Sequence, residues 1–311
     1  MTSAAPPPVS LVIAGAGRVF QRLYLPALSA LPHRFAIAAL ADPDEGCRTA
    51  LPGVPGFEGL EGALDMPGID GVLVLTPPQS HAALAALTTA RGLPALVEKP
   101  PATACAEQEA LSTAQRALFT PAYPRRFWPA YARLKEQLAP AEPVGLSLHT
   151  STASWGSAGI DLGPVYDVLP HIADAAIWLR GGPPATAAAA TVPGGIRVRL
   201  EWPSAAHVIC VARHAPRYSE RARTAGTRIR LGGSPLPRAV FRRLARAPRA
   251  DVVAIGAMLS AWADRLAGQP PEVLPGFEEG YATVAVIEAT LRSLESGGAP
   301  TAIARPGAPG A

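Results

Sequence analysis

Between Val9 and Tyr123 the chain alternates short, unbroken apolar runs with segments of helical period. "VSLVIAG", "FAIAALAD", "GVLVLTPP" and "PALVEKPP" are the apolar runs, while residues 18–30 and the stretch "SHAALAALTTARG" carry the helical pattern between them. A strand that is apolar at nearly every position must be covered on both faces, and parallel strands joined by crossover helices achieve that cover. The spacing therefore predicts an α/β fold with a doubly wound parallel sheet over residues 9–123.

After a predicted helix at residues 128–138 the pattern changes. "VGLSLHTST", "ATAAAATV", "GIRVRLEW" and "HVICVAR" follow one another with short Gly or Pro turns, which favours an antiparallel sheet. Helices are expected over residues 164–179, 252–267 and 277–296. The organisation so read is a disordered tail at 1–8, an α/β domain at 9–123, a second α/β domain with a large, mostly antiparallel sheet at 124–303, and a disordered tail at 304–311. No apolar run approaches the roughly 18 to 20 residues of a membrane helix, and "MTSAAPPPVS" lacks the basic and apolar segments of a secretory signal. Cys47, Cys105 and Cys210 form no C-x-x-C pair, which argues against a disulfide framework and a metal site alike. The expectation is a cytoplasmic protein that holds no metal and binds no membrane.

"GAGRVF" follows the first predicted strand and opens the first predicted helix, the context that a dinucleotide-binding turn requires. Gly15 permits the tight turn, and Gly17 lets the backbone approach a pyrophosphate at the helix N-terminus. Arg18, Val19 and Phe20 complete the turn, with Phe20 where a small residue usually packs helix against strand. Asp42 ends the second strand, where a carboxylate accepts the adenosine ribose hydroxyls and repels a 2′-phosphate. Strand, G-x-G, helix, strand and acid in that order point to a Rossmann domain that favours NAD(H). NADP(H) is the alternative, should Arg18 or Arg48 capture the extra phosphate.

Of the 28 basic residues only Lys99 and Lys135 are lysines, and Lys99 closes an apolar run in "ALVEKPP". Arginine serves a salt bridge at least as well, but a partly buried lysine can titrate, so Lys99 reads as a residue placed for proton chemistry. In "GPVYDVLPHIADAAIWLRGG" the residues Asp167, His171, Asp174 and Trp178 are spaced by four, three and four, one face of a helix. A carboxylate one turn from an imidazole can orient it and favour its protonated form. Pro170 must then lie in the first turn or kink the helix, and in the first-turn case Asp167 is also an N-cap candidate.

The formal net charge of +4 hides an asymmetry: residues 211–250 hold eleven arginines and one acid, Glu220, so that segment is about +10 and the remainder about −6. Such a block is either a solvated face matched by acids from elsewhere or a patch that attracts an anionic ligand. Bordering the substrate cleft, it would hold a phosphate on a nucleotide-activated substrate. Nucleic acid is not expected, since the segment lacks a recognisable binding module.

Taken in order, "GAGRVFQRLYLPAL", "TPPQSHA", "EKPPA", "AYPRRF", "DVLPHIADAAIWLRG" and "GFEEGYATVAVIEATLRSLESG" resemble the glucose-fructose oxidoreductase, inositol dehydrogenase and rhizopine-catabolism (Gfo/Idh/MocA) family along nearly the whole chain. The resemblance implies an N-terminal Rossmann domain and a C-terminal domain whose sheet lines the substrate site and often mediates oligomerisation. It makes Lys99 the catalytic lysine, His171 the proton donor or acceptor, and Asp167 the support of both. It sets Thr76, Pro77, His81 and Glu98 around the nicotinamide side of the cleft, and Tyr123 and Arg126 with Asp167 and His171 at the substrate. The implied activity is hydride transfer between a nicotinamide and a secondary alcohol or ketone of a sugar, cyclitol or related small molecule, in a homo-oligomer. Imine reduction on the same site, redox-assisted glycoside hydrolysis and cofactor sensing without catalysis are the competing expectations.

Overall fold

The computed structural model describes residues 7–138, 145–153, 163–224, 227–232, 249–269 and 273–307. Six parallel strands form the first sheet: β1 (Val9–Ala14), β2 (Phe35–Ala41), β3 (Gly56–Phe57), β4 (Gly71–Val74), β5 (Ala95–Val97) and β6 (Phe119–Pro121), in the order β3-β2-β1-β4-β5-β6. Alternate residues of one strand enter different cores. Val12, Val72 and Val97 pack on one face, Leu11, Leu73 and Leu96 on the other, and none of the six is solvent-exposed. This two-sided cover explains why the strands read as unbroken apolar runs. Helices α1 (Leu25–Ser29), α2 (Glu45–Arg48), α3 (Leu60–Leu64), α4 (Pro78–Ala90), α5 (Cys105–Glu109) and α6 (Thr113–Leu118) supply the connections.

The helix expected over residues 18–30 is not uniform. A π turn occupies Phe20–Tyr24, with the Leu25 N–H bonded to the Phe20 carbonyl. Pro26 has no N–H to give to the carbonyl four residues back, and its ring crowds that carbonyl, so a wider turn precedes it.

A short 3-10 turn (Pro124–Phe127) and α7 (Pro129–Gln137) lead to the second sheet. Its strands are β7 (Leu146–Thr152), β8 (Thr186–Val192), β9 (Gly195–Glu201), β10 (His207–His214), β11 (Ser219–Arg223), β12 (Arg228–Gly232) and β13 (Thr301–Ala302), in the order β12-β11-β7-β10-β9-β8-β13. Every neighbouring pair is antiparallel except β7 with β10. Strands β11 and β12 lie inside the arginine-rich segment, where "SERAR" and "RIRLG" alternate charged and buried positions. The helix expected over 164–179 is two helices, α8 (Gly163–Asp167) and α9 (Leu169–Arg180), parted at Val168 (φ −106°, ψ −44°) with Pro170 in the first turn of α9.

A cut at residue 123 does not describe the packing. Helix α10 (Ala250–Leu266) returns to the first sheet, where Met258 and Trp262 share a core with Leu11 and Ile13 and Asp264 pairs with Arg34 at 2.5 Å. Helix α11 (Phe277–Glu295) touches both sheets: Phe277 stacks edge-on against Phe119 of β6 at 6.0 Å, and Ser293 Oγ accepts the Ala189 N–H of β8 at 2.9 Å. The C-terminal tail expected from residue 304 is tied at its start, since the Gly307 carbonyl accepts from Arg116. Residues 1–6 and 308–311 lie outside the described residues.

Candidate active site

Lys99 lies two residues past the C-terminal end of β5, where the first sheet meets the second domain. Its Nζ donates to the Asp167 carbonyl at 2.7 Å and to Asp167 Oδ1 at 3.2 Å. The other carboxylate oxygen, Oδ2, meets His214 Nε2 at 3.1 Å. The Lys99 and Asp167 side chains are only 14% and 6% exposed, so an ammonium and a carboxylate face each other with little water between them. Asp167 thus joins a cation from the Rossmann edge to an imidazole at the end of β10.

The same-face spacing of Asp167 and His171 suggests a bond between them, and the structure corrects this. No hydrogen bond links the two side chains, since the Asp167 oxygens face Lys99 and His214 instead. His171 keeps a buried Nδ1 without a partner among the described residues. Its pKa is driven well below the usual imidazole value, first by burial and then by the charges of Arg125 and Lys99, so its ring is neutral at neutral pH. Asp167 does not cap α9 either, since the capping position is Val168.

The residues around Lys99 hold it in place. Glu98 accepts from Tyr24 Oη at 2.8 Å and from the Lys99 backbone N–H at 2.9 Å. Burial pushes the Glu98 carboxyl up, against the opposing pull of Lys99 and the Tyr24 hydroxyl. His81 is 1% exposed and sits between two carbonyls, Pro100 O at 2.7 Å from Nδ1 and Thr76 O at 2.6 Å from Nε2. It braces the loop after β4 against the loop after Lys99, while burial lowers its pKa. Thr76 accepts from Ser80 Oγ at 2.7 Å, and Pro77 is exposed at the start of α4.

Two expected substrate contacts, Arg126 and Tyr123, are buried. Arg126 is 2% exposed; its Nη2 is 2.6 Å from Asp174, and its Nη1 is 3.4 Å from Glu279. It ties the 3-10 turn to α9 and α11, and its donors are engaged there. Tyr123 is 1% exposed, with a buried hydroxyl that lacks a hydrogen-bond partner among the described residues and a phenol pushed up by burial. The described arginines of β10 and β11 do not face this site, although His214 of the same segment does. In β10, Val208, Cys210 and Ala212 are buried on the side of α9, and His214 points the same way. Arg213 therefore faces outward, as do Arg221 and Arg223 beside the buried Glu220 and Ala222 of β11. Arg238, Arg242, Arg243 and Arg246 fall outside the described residues.

His214 and Tyr24 touch Asp167 and Glu98 at this candidate site, and the sequence reading lacks both. His214 had a signal: it continues the inward-facing alternation of "HVICVARH" with a polar group. Tyr24 had none, because nothing local links it to Glu98, 74 residues further along the chain.

The turn after β1 fits a dinucleotide. Gly15 has φ +92°, and a Cβ there would lie 2.7 Å from Thr76 N, so only glycine lets the two loops approach this closely. A Cβ at Gly17 would meet nothing within 4 Å, which leaves open space at the helix start. Asp42 is pinned beside it, Oδ2 accepting the Ala16 N–H at 2.8 Å and Oδ1 the Asp44 N–H at 2.9 Å. Each oxygen retains a lone pair for a ribose hydroxyl. Arg18 is exposed and Val19 partly buried at the turn, while the Phe20 side chain is fully buried in the core shared with α10 and offers only its backbone to a ligand.

A Rossmann sheet with this turn thus meets a second, mostly antiparallel sheet beside a lysine, an aspartate and two histidines. Residues 9–118 match the model of the GFO_IDH_MocA family, described as an oxidoreductase family with an NAD-binding Rossmann fold. The rhizopine catabolism protein MocA of Rhizobium meliloti is 31% identical over 58% of this chain and 60% of its own length. An inositol 2-dehydrogenase of Leifsonia xyli is 29% identical over 48% and 47%. The chain thus spans about half the length of these curated relatives. The structure of myo-inositol dehydrogenase from Lactobacillus casei in complex with NAD(H) and myo-inositol superposes with a TM-score of 0.79 at 17% identity, covering 97% of this chain and 99% of that one. At that identity the likeness establishes the two-domain fold.

Proposed function

We propose that the protein is an NAD(H)-dependent oxidoreductase that interconverts a secondary hydroxyl and a ketone on a sugar, cyclitol or related small polar molecule. The observation that carries this is the contact of Lys99 with Asp167 at 2.7 and 3.2 Å, backed on the far carboxylate oxygen by His214. Gly15, Gly17 and Asp42 would hold the dinucleotide, which when bound supplies the hydride donor or acceptor.

The chain's own residues then manage the proton. Lys99 Nζ, held on Asp167, donates a hydrogen bond to the reacting oxygen and stabilises the charge that gathers there. Neutral His171 accepts the hydroxyl proton in the oxidative direction and returns it in the reductive one. Asp167 fixes Lys99 and His214 without taking the proton itself. Glu98 and His81 position the loop that carries Lys99. Rate then comes chiefly from geometry fixed before the substrate arrives.

Similarity to inositol 2-dehydrogenases and MocA supports a cyclitol or its derivative as the first compounds to test. Assembly as a homo-oligomer and a cytoplasmic location belong to the same proposal. Among the described residues no helix is long and apolar enough to cross a membrane, and no cluster of His, Cys, Asp or Glu could hold a metal. NADH formation measured across a panel of cyclitols and sugars tests the activity. Turnover with one of them, lost in Lys99→Met, is expected; cofactor binding with no turnover on any polyol would refute the catalytic reading.

A further inference from the structure

The outward face of the second sheet carries a cluster of positive charge that the proposed reaction does not use. His149, Ser151, Arg213, Ser219, Arg221, Arg223 and Arg228 line a cavity of about 340 Å³ there, together with Val211. Register explains the convergence. Arg221 stands opposite His149 on one side and Arg230 on the other, and Arg223 stands opposite Arg228. Two like-charged cross-strand pairs therefore lie side by side, an arrangement that destabilises a sheet unless something neutralises it.

Nothing among the described residues does. The strands of this sheet contain two acids: Glu220 faces inward to Arg125, and Glu201 pairs with Arg199 on the same strand. None of Arg213, Arg221, Arg223 and Arg228 makes an ion pair with a described residue, and Arg213 Nε is buried with no hydrogen-bond partner. Buried donors of this kind ordinarily find an acceptor. A concave site of this volume lies in the range of small-ligand pockets, and guanidinium forks match phosphate oxygens in pairs.

We propose that this outward face is a binding site for a small molecule bearing a di- or triphosphate, separate from the Lys99 site on the opposite face of the same strands. Arg221, Arg223 and Arg228 clasp the phosphate oxygens, Arg213 brings its buried Nε–H to the same anion, and Ser151 and Ser219 offer hydroxyl donors. The inference does not depend on the reaction proposed above.

Calorimetric titration of the intact protein with inorganic pyrophosphate, in saturating NADH so that the dinucleotide turn is occupied, tests it. Binding is expected, weakening as salt is raised, with the dissociation constant increasing about 10- to 100-fold in Arg221→Ala/Arg228→Ala, as for loss of charge-assisted bonds. Arg133→Ala, on an exposed position of α7, should leave it unchanged. Absence of pyrophosphate binding, or equal binding by the double variant, would overturn the proposal. So would a double variant whose change is in molecular mass by light scattering and not in anion affinity, because the face would then be a contact between copies of the chain. NADH affinity measured alongside shows whether each variant is folded.

Discussion

Replacing Lys99 with methionine preserves the length of the side chain and removes the ammonium. Two bonds disappear, at 2.7 and 3.2 Å, and with them the donor aimed at the reacting oxygen. Turnover should fall by about 10²- to 10⁴-fold, the usual worth of a positioned acid or base. The Asp167 carbonyl loses its donor where the displaced side chain was 14% exposed, which costs about 1–3 kcal/mol and should lower the melting temperature by a few degrees. Oδ2 keeps His214, so the carboxylate is not abandoned. NADH affinity should stay within a few-fold, because Gly15, Gly17 and Asp42 make no bond to Lys99.

The same substitution has a second readout. The charge of Lys99 is one of the causes holding the His171 pKa down, after burial and Arg125. In the variant His171 should take up its proton at a higher pH than in the native protein, while burial still keeps it below the free value of about 6.5. Steady-state kinetics, NADH titration and NMR of the His171 ring measure the three quantities. Native-like turnover would refute the assignment of Lys99. A collapse in turnover with an unmoved His171 titration would show that the two groups do not share one site.

Asp42→Ala should weaken NADH and narrow or reverse the preference over NADPH, since it removes both the ribose acceptor and the repulsion of the 2′-phosphate; fluorescence titration of the two cofactors decides. His214→Gln should cut turnover about 10- to 100-fold with little change in NADH affinity, whereas an unaffected rate would make the Asp167 contact merely structural. Arg126→Met leaves Asp174 buried without its cation and should cost about 3–5 kcal/mol in chemical denaturation, with denaturation like the native protein's counting against the buried pair. His171 is held neutral in the fold by burial. The unfolded chain therefore binds more protons below about pH 6.5, and stability should drop on acidification by up to about 1.4 kcal/mol per pH unit. His171→Asn should flatten that slope.

The first sheet was legible because its physics is local. Strands covered on both faces have to be apolar throughout, and glycines and an acid at strand ends mark the turn that a dinucleotide approaches. The return of α10 to that sheet was not legible, since "DVVAIGAMLSAWADRL" has an apolar face that any sheet could cover, and only the tertiary fold selects Gly71 and Leu11 as the surface beneath Trp262. Strands β11 and β12 were hidden by composition. Arginine at every other position reads as a charged run until the small or apolar residues between, Ala222 and Leu231, are seen to be the buried ones.

The site divides along the same line. Lys99 was singled out by residue type, because a lysine in an arginine-rich chain is informative wherever it folds. The partner of Asp167 was not, because helical spacing ranks only neighbours on the same helix and His214 comes from a strand 47 residues away. Lys99, Asp167 and His214 are separated by 68 and 47 residues, and they meet only through the end of β5, the end of α8 and the last residue of β10. The arginines make the converse case. A net charge summed over forty residues carries no information about faces, whereas in a strand neighbouring residues point to opposite sides of the sheet. Arg213 and His214 are consecutive, yet one belongs to the outward cavity and the other to the Lys99 site. Perturbing either should therefore leave the chemistry of the other in place, which permits each face of the sheet to be tested alone.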